Sequence, residues 1–434
     1  VQSVERREKT EKPPALFDLT TLQREANRTL GYTAQQTLDY LQALYDKKLS
    51  TYPRTDSRYL TDDMEAGVPA LVEAAASICG VAAPEAVLAG QVCDSARVSD
   101  HHAVVPTASA GKADLEALPI GEREILRLVS LGLLRAVCPP CRSAETCITA
   151  LCAGDPYTAK WKEVLSPGWK VYAQTADAEA GTGPDGLTEG QTLPVAAVKV
   201  KAGKTTPPRH YTEDTLLSAM ETAGKEDMPE EAERRGIGTP ATRAAILEKL
   251  VSAGFVERKR AKKTVSLLPT PLGTALITVL PEQLQSPMLT AEWEYRLKEV
   301  ERGTLAPGDF MDGIAAMLRE LVETCRPVEG GAVLFPSTRE TVGRCPRCGG
   351  TVTDGRKGFF CENRACGFAI WKDSKWWENK KKKPAKSIVA ALLKDGRAQV
   401  SGLWSEKTGK TYTATVVLTD DGTRASFHLE FSHE

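Results

Sequence analysis

The sequence predicts a multidomain α+β protein. Three features point to it: two long helical stretches, a band of short alternating runs between them, and a four-cysteine cluster followed by a small mixed module at the C-terminal end. At 434 residues the chain exceeds what one hydrophobic core organises, and roughly three or four domains are expected. Hydrophobic content of 41% and charged content of 26% are those of an ordinary globular protein. Nothing approaches the run of about 18 apolar residues needed to span a bilayer, and no basic-then-apolar signal opens the chain. The expectation is a cytoplasmic protein. The polar opening segment "VQSVERREKTEKPP" suggests that the chain starts inside a larger one.

Along the chain, Thr33 followed by Gln36 forms a capping-box pattern. Leu38, Leu41 and Tyr45 then recur at helical spacing, predicting a helix that runs to about Lys48 and delivers Leu49–Tyr52 as a strand or tight turn. Residues 60–135 read as helical and moderately apolar. From about Pro139 to Val200 the texture changes to strands such as "CITALCAG" and "LPVAAVKV", interrupted by the loop "TADAEAGTGPDGLTEGQ". Residues 210–325 return to helix. There Thr239 is a candidate N-cap, Pro240 takes the first helical position and Gly254 is the stop. The following "FVERKRAKKTVSLLPT" reads as a basic two-stranded wing. Helix plus wing is either a winged-helix unit lying on a nucleic-acid backbone or a plain structural helix–hairpin.

Net charge is −1, so composition alone does not make the chain a nucleic-acid binder. Local charge differs: Lys380 to Lys383 form an unbroken run near Trp371, Trp376 and Trp377. Cations that track phosphates and rings that stack on bases suit single-stranded nucleic acid. A solvated linker is the other reading.

Eleven cysteines in a chain of intracellular character favour thiols or metal over disulfides. Cys345-x2-Cys348 and Cys361-x4-Cys366 supply two knuckles, the pattern of a closed, structural, tetrahedral zinc ribbon. Cys138, Cys141, Cys147 and Cys152 also number four. The intervals between the later ones are too short for opposed knuckles, so buried free thiols are expected there.

One string carries most of the chemistry. Thr51-Tyr52-Pro53-Arg54-Thr55-Asp56-Ser57 sets a phenol two residues from a guanidinium. A tyrosine can form a phosphoester whose good leaving group keeps resealing accessible, and arginine's planar fork matches two phosphate oxygens. The bare pair is weak evidence, but residues 16–60, "LFDLTTLQREANRTLGYTAQQTLDYLQALYDKKLSTYPRTDSRYL", resemble the active-site region of bacterial topoisomerase III, a type IA DNA topoisomerase. The resemblance implies that Tyr52 is the nucleophile, becoming attached to a 5′ phosphate of single-stranded DNA, and that Arg54 holds the scissile phosphate. It marks Gln23 and Arg24 as residues near the DNA strand. "SDHHAVVPT" matches the family's histidine motif and puts its histidine at His101, on the phosphate backbone. Thr242 and Arg243 of "GIGTPATRAAI" become candidate contacts where the strand enters, and "MLTAEWEYRLKEVERG" fits as well.

The same resemblance implies an architecture. Residues 1–28 end a first gate-hinge segment, 29–135 form a helical domain carrying the tyrosine, 136–205 a β-rich hinge and 206–328 a helical base with a winged-helix-like unit. A zinc ribbon over 340–375 and a small α+β module over 386–434 follow. Members carry an N-terminal Toprim domain whose carboxylates hold Mg2+. No such cluster is legible here, so Mg2+ ligands are expected in cis outside this chain. The chain is expected to be monomeric, to bind single-stranded DNA through Zn2+-ordered and helical elements, and not to relax supercoils alone. Phe359, Phe360, Phe368 and Trp371 are candidate stacking faces on the ribbon. Two rivals remain. A conjugative relaxase needs a His-hydrophobic-His metal site, which Asp100-His101-His102-Ala103 does not supply, and a non-catalytic binder would combine the winged helix with the ribbon.

Overall fold

The computed structural model describes residues 1–173, 183, 186–223, 236–262, 264–286, 288–324, 340–363 and 365–430. They fall into two compact units, Val1–Val328 and Glu329–Glu434.

In the first unit, strand β1 (Ser3–Glu11) pairs antiparallel with β2 (Cys141–Cys152), and β2 pairs with β3 (Asp155–Ser166), giving sheet order β1-β2-β3. The linker after β1 leads into helix α1 (Leu19–Leu30), started by Asp18, whose carboxylate accepts the Thr21 amide at 2.6 Å. Helix α2 (Ala34–Asp46) starts with the expected box. Thr33 Oγ1 accepts the Gln36 amide at 3.1 Å, and Gln36 Oε1 accepts the Thr33 amide at 3.0 Å. Each such cap is worth about 1 kcal/mol. The buried stripe of α2 is Leu38, Leu41 and Leu44, whereas Tyr45 is 40% exposed.

Helices α3 (Val68–Cys79) and α4 (Ile120–Ala136) complete the helical domain. α4 packs Ile125, Leu126 and Val129 against Leu19, Leu22 and Leu41, while Leu133 and Val137 join Val68, Val72 and Leu60. α4 comes this close because Gly132 faces Phe17, where an added Cβ would fall 2.4 Å from the ring.

After residue 186 the predicted strand does not form. No strand occurs among the described residues from 186 to 212, and Val198 and Val200 are 73% and 97% exposed. An alternating segment becomes a strand only when a neighbour takes its N–H and C=O groups, and none of the described residues does so for 193–200. Much of the predicted loop before it lies outside the described residues.

Helices α5 (Glu213–Thr222) and α6 (Pro240–Ser252) follow, then the hairpin β4 (Val256–Ala261) and β5 (Thr264–Pro269), in register from Val256↔Pro269 to Ala261↔Thr264. The helix and hairpin read from the sequence are therefore present, with Gly254 at φ 76° closing the helix. Helices α7 (Pro271–Val279), α8 (Glu282–Gln285), α9 (Met288–Glu301) and α10 (Pro307–Thr324) end the described part of this unit.

The second unit holds a four-stranded antiparallel sheet, β6 (Thr341–Arg344), β7 (Thr351–Asp354), β8 (Gly358–Cys361) and β9 (Ala369–Trp371), in that order. The helix Lys386–Asp395 and a second sheet, β10 (Arg397–Ser405), β11 (Lys410–Asp420) and β12 (Ala425–Glu430), follow. These are not separate modules. Val389 and Leu393 of the helix share a core with Val342, Val352, Phe359, Phe368 and Ile370 of the first sheet. Arg347 also reaches across to Asp420 with two nitrogens, at 2.9 and 2.5 Å.

Candidate active site

Two chain segments distant in sequence build the site. Ser50 forms a lone antiparallel bridge with Pro106, and the Thr51 amide donates to the Val105 carbonyl at 3.0 Å. Thr51 Oγ1 donates to the Ala103 carbonyl at 3.1 Å and accepts the Val105 amide at 3.0 Å. Four residues on, Thr55 Oγ1 donates to the His101 carbonyl at 2.8 Å and accepts the Ser57 amide at 3.0 Å. Ser57 Oγ donates to the Arg97 carbonyl at 2.9 Å, and Ser99 Oγ donates to Asp56 at 2.9 Å. On the other side the Leu19 amide donates to the Thr55 carbonyl at 3.1 Å. Buried hydroxyls and amides must find partners, and here they find them on the opposite segment, so neither can shift without stranding polar groups in the other.

Between the two threonine clamps lie Tyr52, Pro53 and Arg54. The Tyr52 ring is half-buried and lies against the His101 ring, centroids 4.2 Å apart at an interplanar angle of 36°. Tyr45 meets it edge-on at 5.6 Å and 83°, a favoured aromatic geometry. Arg54 is exposed and has no hydrogen bond or ion pair among the described residues. Tyr52 and His101 thus meet as a ring held from two sides and an exposed imidazole, and Arg54, two residues along the chain, has no partner among the described residues. Such an arrangement can hold a phosphodiester at a phenol oxygen, because the Tyr52 ring is fixed and the Arg54 guanidinium is exposed, although the exposed Asp56 and Asp100 carboxylates lie in the same two segments.

The remaining candidates are placed differently. Gln23 is fully buried; its Nε2 donates to the Ala34 carbonyl at 3.1 Å, and its Oε1 has no partner. Arg243 is 2% exposed. It donates to Thr20 Oγ1 at 3.0 Å and to the Ile237 and Gly238 carbonyls at 3.1 Å each, and burial lowers its pKa. Both side chains are occupied within the fold: Gln23 joins α1 to the start of α2, and Arg243 joins α6 to α1. Arg24 pairs with Asp214 at 2.9 Å and Glu221 at 3.6 Å. Thr242 is exposed, and its hydroxyl accepts the Thr239 amide at 2.9 Å at the start of α6.

Sequence reasoning missed the clamping threonines and a buried hub at Glu213. The Glu213 carboxylate accepts the Ala34 amide at 2.6 Å, in the first turn of α2, and Arg258 Nε at 2.8 Å. Arg258 turns its other nitrogens to Glu248. This basic residue of the hairpin thus ties it to the helices, while Lys259, Arg260 and Lys262 stay exposed. Thr51 and Thr55 carry one weak signal, their symmetric placement around Tyr52-Pro53-Arg54.

In the second unit, the Sγ atoms of Cys345, Cys348, Cys361 and Cys366 lie within 4.8 Å of one another, with Cys345–Cys366 at 3.6 Å and Cys348–Cys361 at 3.5 Å. Four thiolates on one tetrahedral ion with bonds of about 2.3 Å would stand about 3.8 Å apart, so the donors fit a metal of that kind. The Gly350 amide pulls the Cys348 thiol down to about 7, and burial pushes Cys361 up to about 12. The other described cysteines are free: Cys138 and Cys141 are buried as expected, but Cys152 is exposed at the end of β2. Two expected stacking faces are corrected. Phe359 and Phe368 are each 1% exposed and form the core, whereas Trp371 is 49% exposed with Phe360 edge-on at 5.2 Å. Trp377 is also fully buried, and Lys381 lies over Trp404 at 4.0 Å.

With the fold and the geometry of this site in place, comparison with known proteins gives the family. A sequence profile described as DNA topoisomerase matches residues 1–312, and the chain belongs to that family, in its type IA branch. It is 35% identical over 383 residues to "DNA topoisomerase 3" of Bacillus subtilis (strain 168), spanning 82% of this chain and 51% of that protein. Similarity to the protein of the same name from Bacillus licheniformis is 36% over 381 residues, with the same coverage. The chain thus spans about half the length of these relatives. Among solved structures, full-length topoisomerase I from Thermotoga maritima superposes with a TM-score of 0.55 at 25% identity, over 85% of this chain and 59% of that one. No described helix is long and apolar enough to cross a membrane.

Proposed function

We propose that this chain carries the cleaving and strand-gripping part of a topoisomerase III-like enzyme, with Tyr52 as nucleophile. In the forward step the phenol oxygen bonds to phosphorus, the P–O3′ bond breaks, and the proton leaving the phenol is balanced by the one gained at the 3′ oxygen. The product is a 5′-phosphotyrosine and a free 3′ hydroxyl. Reversal after strand passage reseals the strand, relaxing negative supercoils or decatenating. Arg54 holds the phosphate oxygens, and His101 fixes the Tyr52 ring and meets the adjoining backbone. Gln23, Arg24 and Arg243 hold the helices, while Thr242 and the exposed cations of the hairpin grip the strand. The four cysteines hold structural Zn2+. Mg2+ supplies charge neutralisation at the phosphate, through carboxylates expected in a Toprim domain in cis. Single-stranded DNA, a monomeric state and a cytoplasmic setting complete the reading.

The observation that carries it is the Tyr52–His101 ring contact at 4.2 Å, with Arg54 two residues along the chain and without a partner among the described residues. The test is detergent trapping on a labelled single-stranded oligonucleotide, using this chain extended by its own upstream coding sequence. A covalent adduct is expected, lost in Tyr52→Phe and weakened in His101→Ala. Equal behaviour of wild type and Tyr52→Phe would favour a non-catalytic single-strand binder. This chain alone is expected to bind the oligonucleotide without relaxing plasmid.

A further inference from the structure

Beside the cleavage segment lies a cleft of about 350 Å3 that none of the roles above uses. The linker Lys12–Leu16 forms one wall, Arg58 and Tyr59 another, and Pro140 closes it with neighbouring apolar atoms. Its size is at the lower end of small-molecule sites.

Its charge is one-sided. No carboxylate among the described residues lines it. Arg58 spends Nε on the Leu16 carbonyl at 3.0 Å, and no carboxylate pairs with its guanidinium among the described residues. Lys12 is exposed and has no ion pair there either. The nearby Asp18 carboxylate, which faces Arg58 electrostatically, is buried and taken up by the start of α1. The apolar part of the wall includes Pro13, Pro14 and Tyr59, whose side chains are cyclic and stiff. Arg97 fixes the Tyr59 ring, donating to its hydroxyl at 2.7 Å with its guanidinium 4.9 Å from the ring centroid.

The cleft is also registered to the active site. The Tyr59 carbonyl accepts the Ala103 amide at 2.9 Å, two residues from His101, and Ser57 next to Arg58 is pinned to the Arg97 carbonyl. An aromatic and proline wall beside two cations unpaired among the described residues is the complement of one nucleotide, a planar base bearing a phosphate.

We propose that this cleft seats one nucleotide of the single strand near the scissile phosphate, its phosphate between Lys12 and Arg58 and its base against Tyr59 and the prolines. This rests on the proposed reading of Tyr52 as the cleaving residue. It would set where along a strand cleavage falls, because a seated nucleotide fixes the register of its neighbours.

The experiment is photocrosslinking of the chain to oligothymidylates carrying 5-iodouracil at single positions, followed by tryptic mapping. Cuts after Arg54 and Arg58 put Tyr52 and Tyr59 on different peptides, so the two sites are read separately. Crosslinks are expected on the peptide beginning at Tyr59, from an iodouracil position distinct from that reaching Tyr52. Lys12→Gln should also lower the slope of log affinity against log salt by about 0.7, one phosphate contact on a single strand. Lys12 is exposed, so this variant leaves the fold alone, and Arg58→Gln adds a second reading once its melting curve matches wild type. Crosslinks confined to the Tyr52 and His101 peptides, with unchanged salt slopes, would overturn the cleft and leave the Tyr52 reading standing. No crosslink to either region would overturn both.

Discussion

The Val1–Val328 unit holds its site with hydrogen bonds between distant segments, whereas the Glu329–Glu434 unit is organised around four thiols and a buried aromatic core. Their charges differ too. The second unit carries 18 Lys and Arg against 12 Asp and Glu, and the rest of the chain 38 against 45. A near-neutral whole therefore conceals a basic C-terminal unit and an acidic remainder. Under the proposed function the acidic part has to bring a phosphate to Tyr52 with few, well-placed cations, which is why it matters that Arg54 has no partner among the described residues. The basic part can attract a polyanion without fine placement. Precision in one unit and attraction in the other is the division of labour the proposed function needs.

The sharpest way to break this comparison is to remove the metal. Chelation, or Cys345→Ser, should unfold the second unit, since a structural four-cysteine zinc site contributes on the order of 10 kcal/mol or more. The first unit should melt as before, because none of the described thiols there forms such a cluster. Differential scanning calorimetry should show one transition lost and one kept. Loss of both would mean that the units do not fold independently.

A smaller effect tests the first unit. Arg258→Met leaves the Glu213 carboxylate, 4% exposed, with only the Ala34 amide. Breaking a buried pair this way costs roughly 3 kcal/mol, so the urea midpoint of the first unit should fall with the second unit unchanged. Smaller still is Thr55→Val, which removes the bond to the His101 carbonyl and costs about 1–3 kcal/mol. Its diagnostic readout is the trapped adduct. If the clamp sets the ring contact, Thr55→Val should lower adduct yield as His101→Ala does, while oligonucleotide binding persists.

How much of this was legible follows from the range of each interaction. The α2 capping box involves residues three apart and could be read directly, as could the knuckle spacing and the Tyr52–Arg54 pair. The clamps could not, because Thr51 meets Ala103 and Thr55 meets His101 across about fifty residues. Gln23 and Arg243 show a second limit, since residue identity within a matching motif carries no information on exposure. Phe359 and Phe368 show a third: in a short ribbon the same aromatics can stack on a base or fill the core, and the share of Val389 and Leu393 in that core decides it. The segment 193–200 has the pattern of a strand, yet pattern supplies only one side of a ladder.

The smallest expected effect concerns acid, and it has opposite signs in the two units. In the second, the hydrogen bonds and charge of Arg347 hold Asp420 below the usual carboxylate range, and Thr423 and neighbouring amides hold Asp421 at about 2. A depressed carboxylate adds stability that is present above the unfolded value of about 3.9 and is lost as pH falls through the folded one. In the first unit, burial raises Asp18. There the folded state binds its proton more tightly, so this residue's contribution improves as pH falls from neutral toward 4. Lowering pH from 5 to 3 should therefore weaken the second transition, and Asp420→Asn should flatten that dependence. Asp18→Asn should remove the opposing term from the first transition while keeping an oxygen for the Thr21 amide. If both transitions respond alike in the two variants, the Arg347 bridge is not what joins the ribbon to β11, and the coupling rests on the shared apolar core.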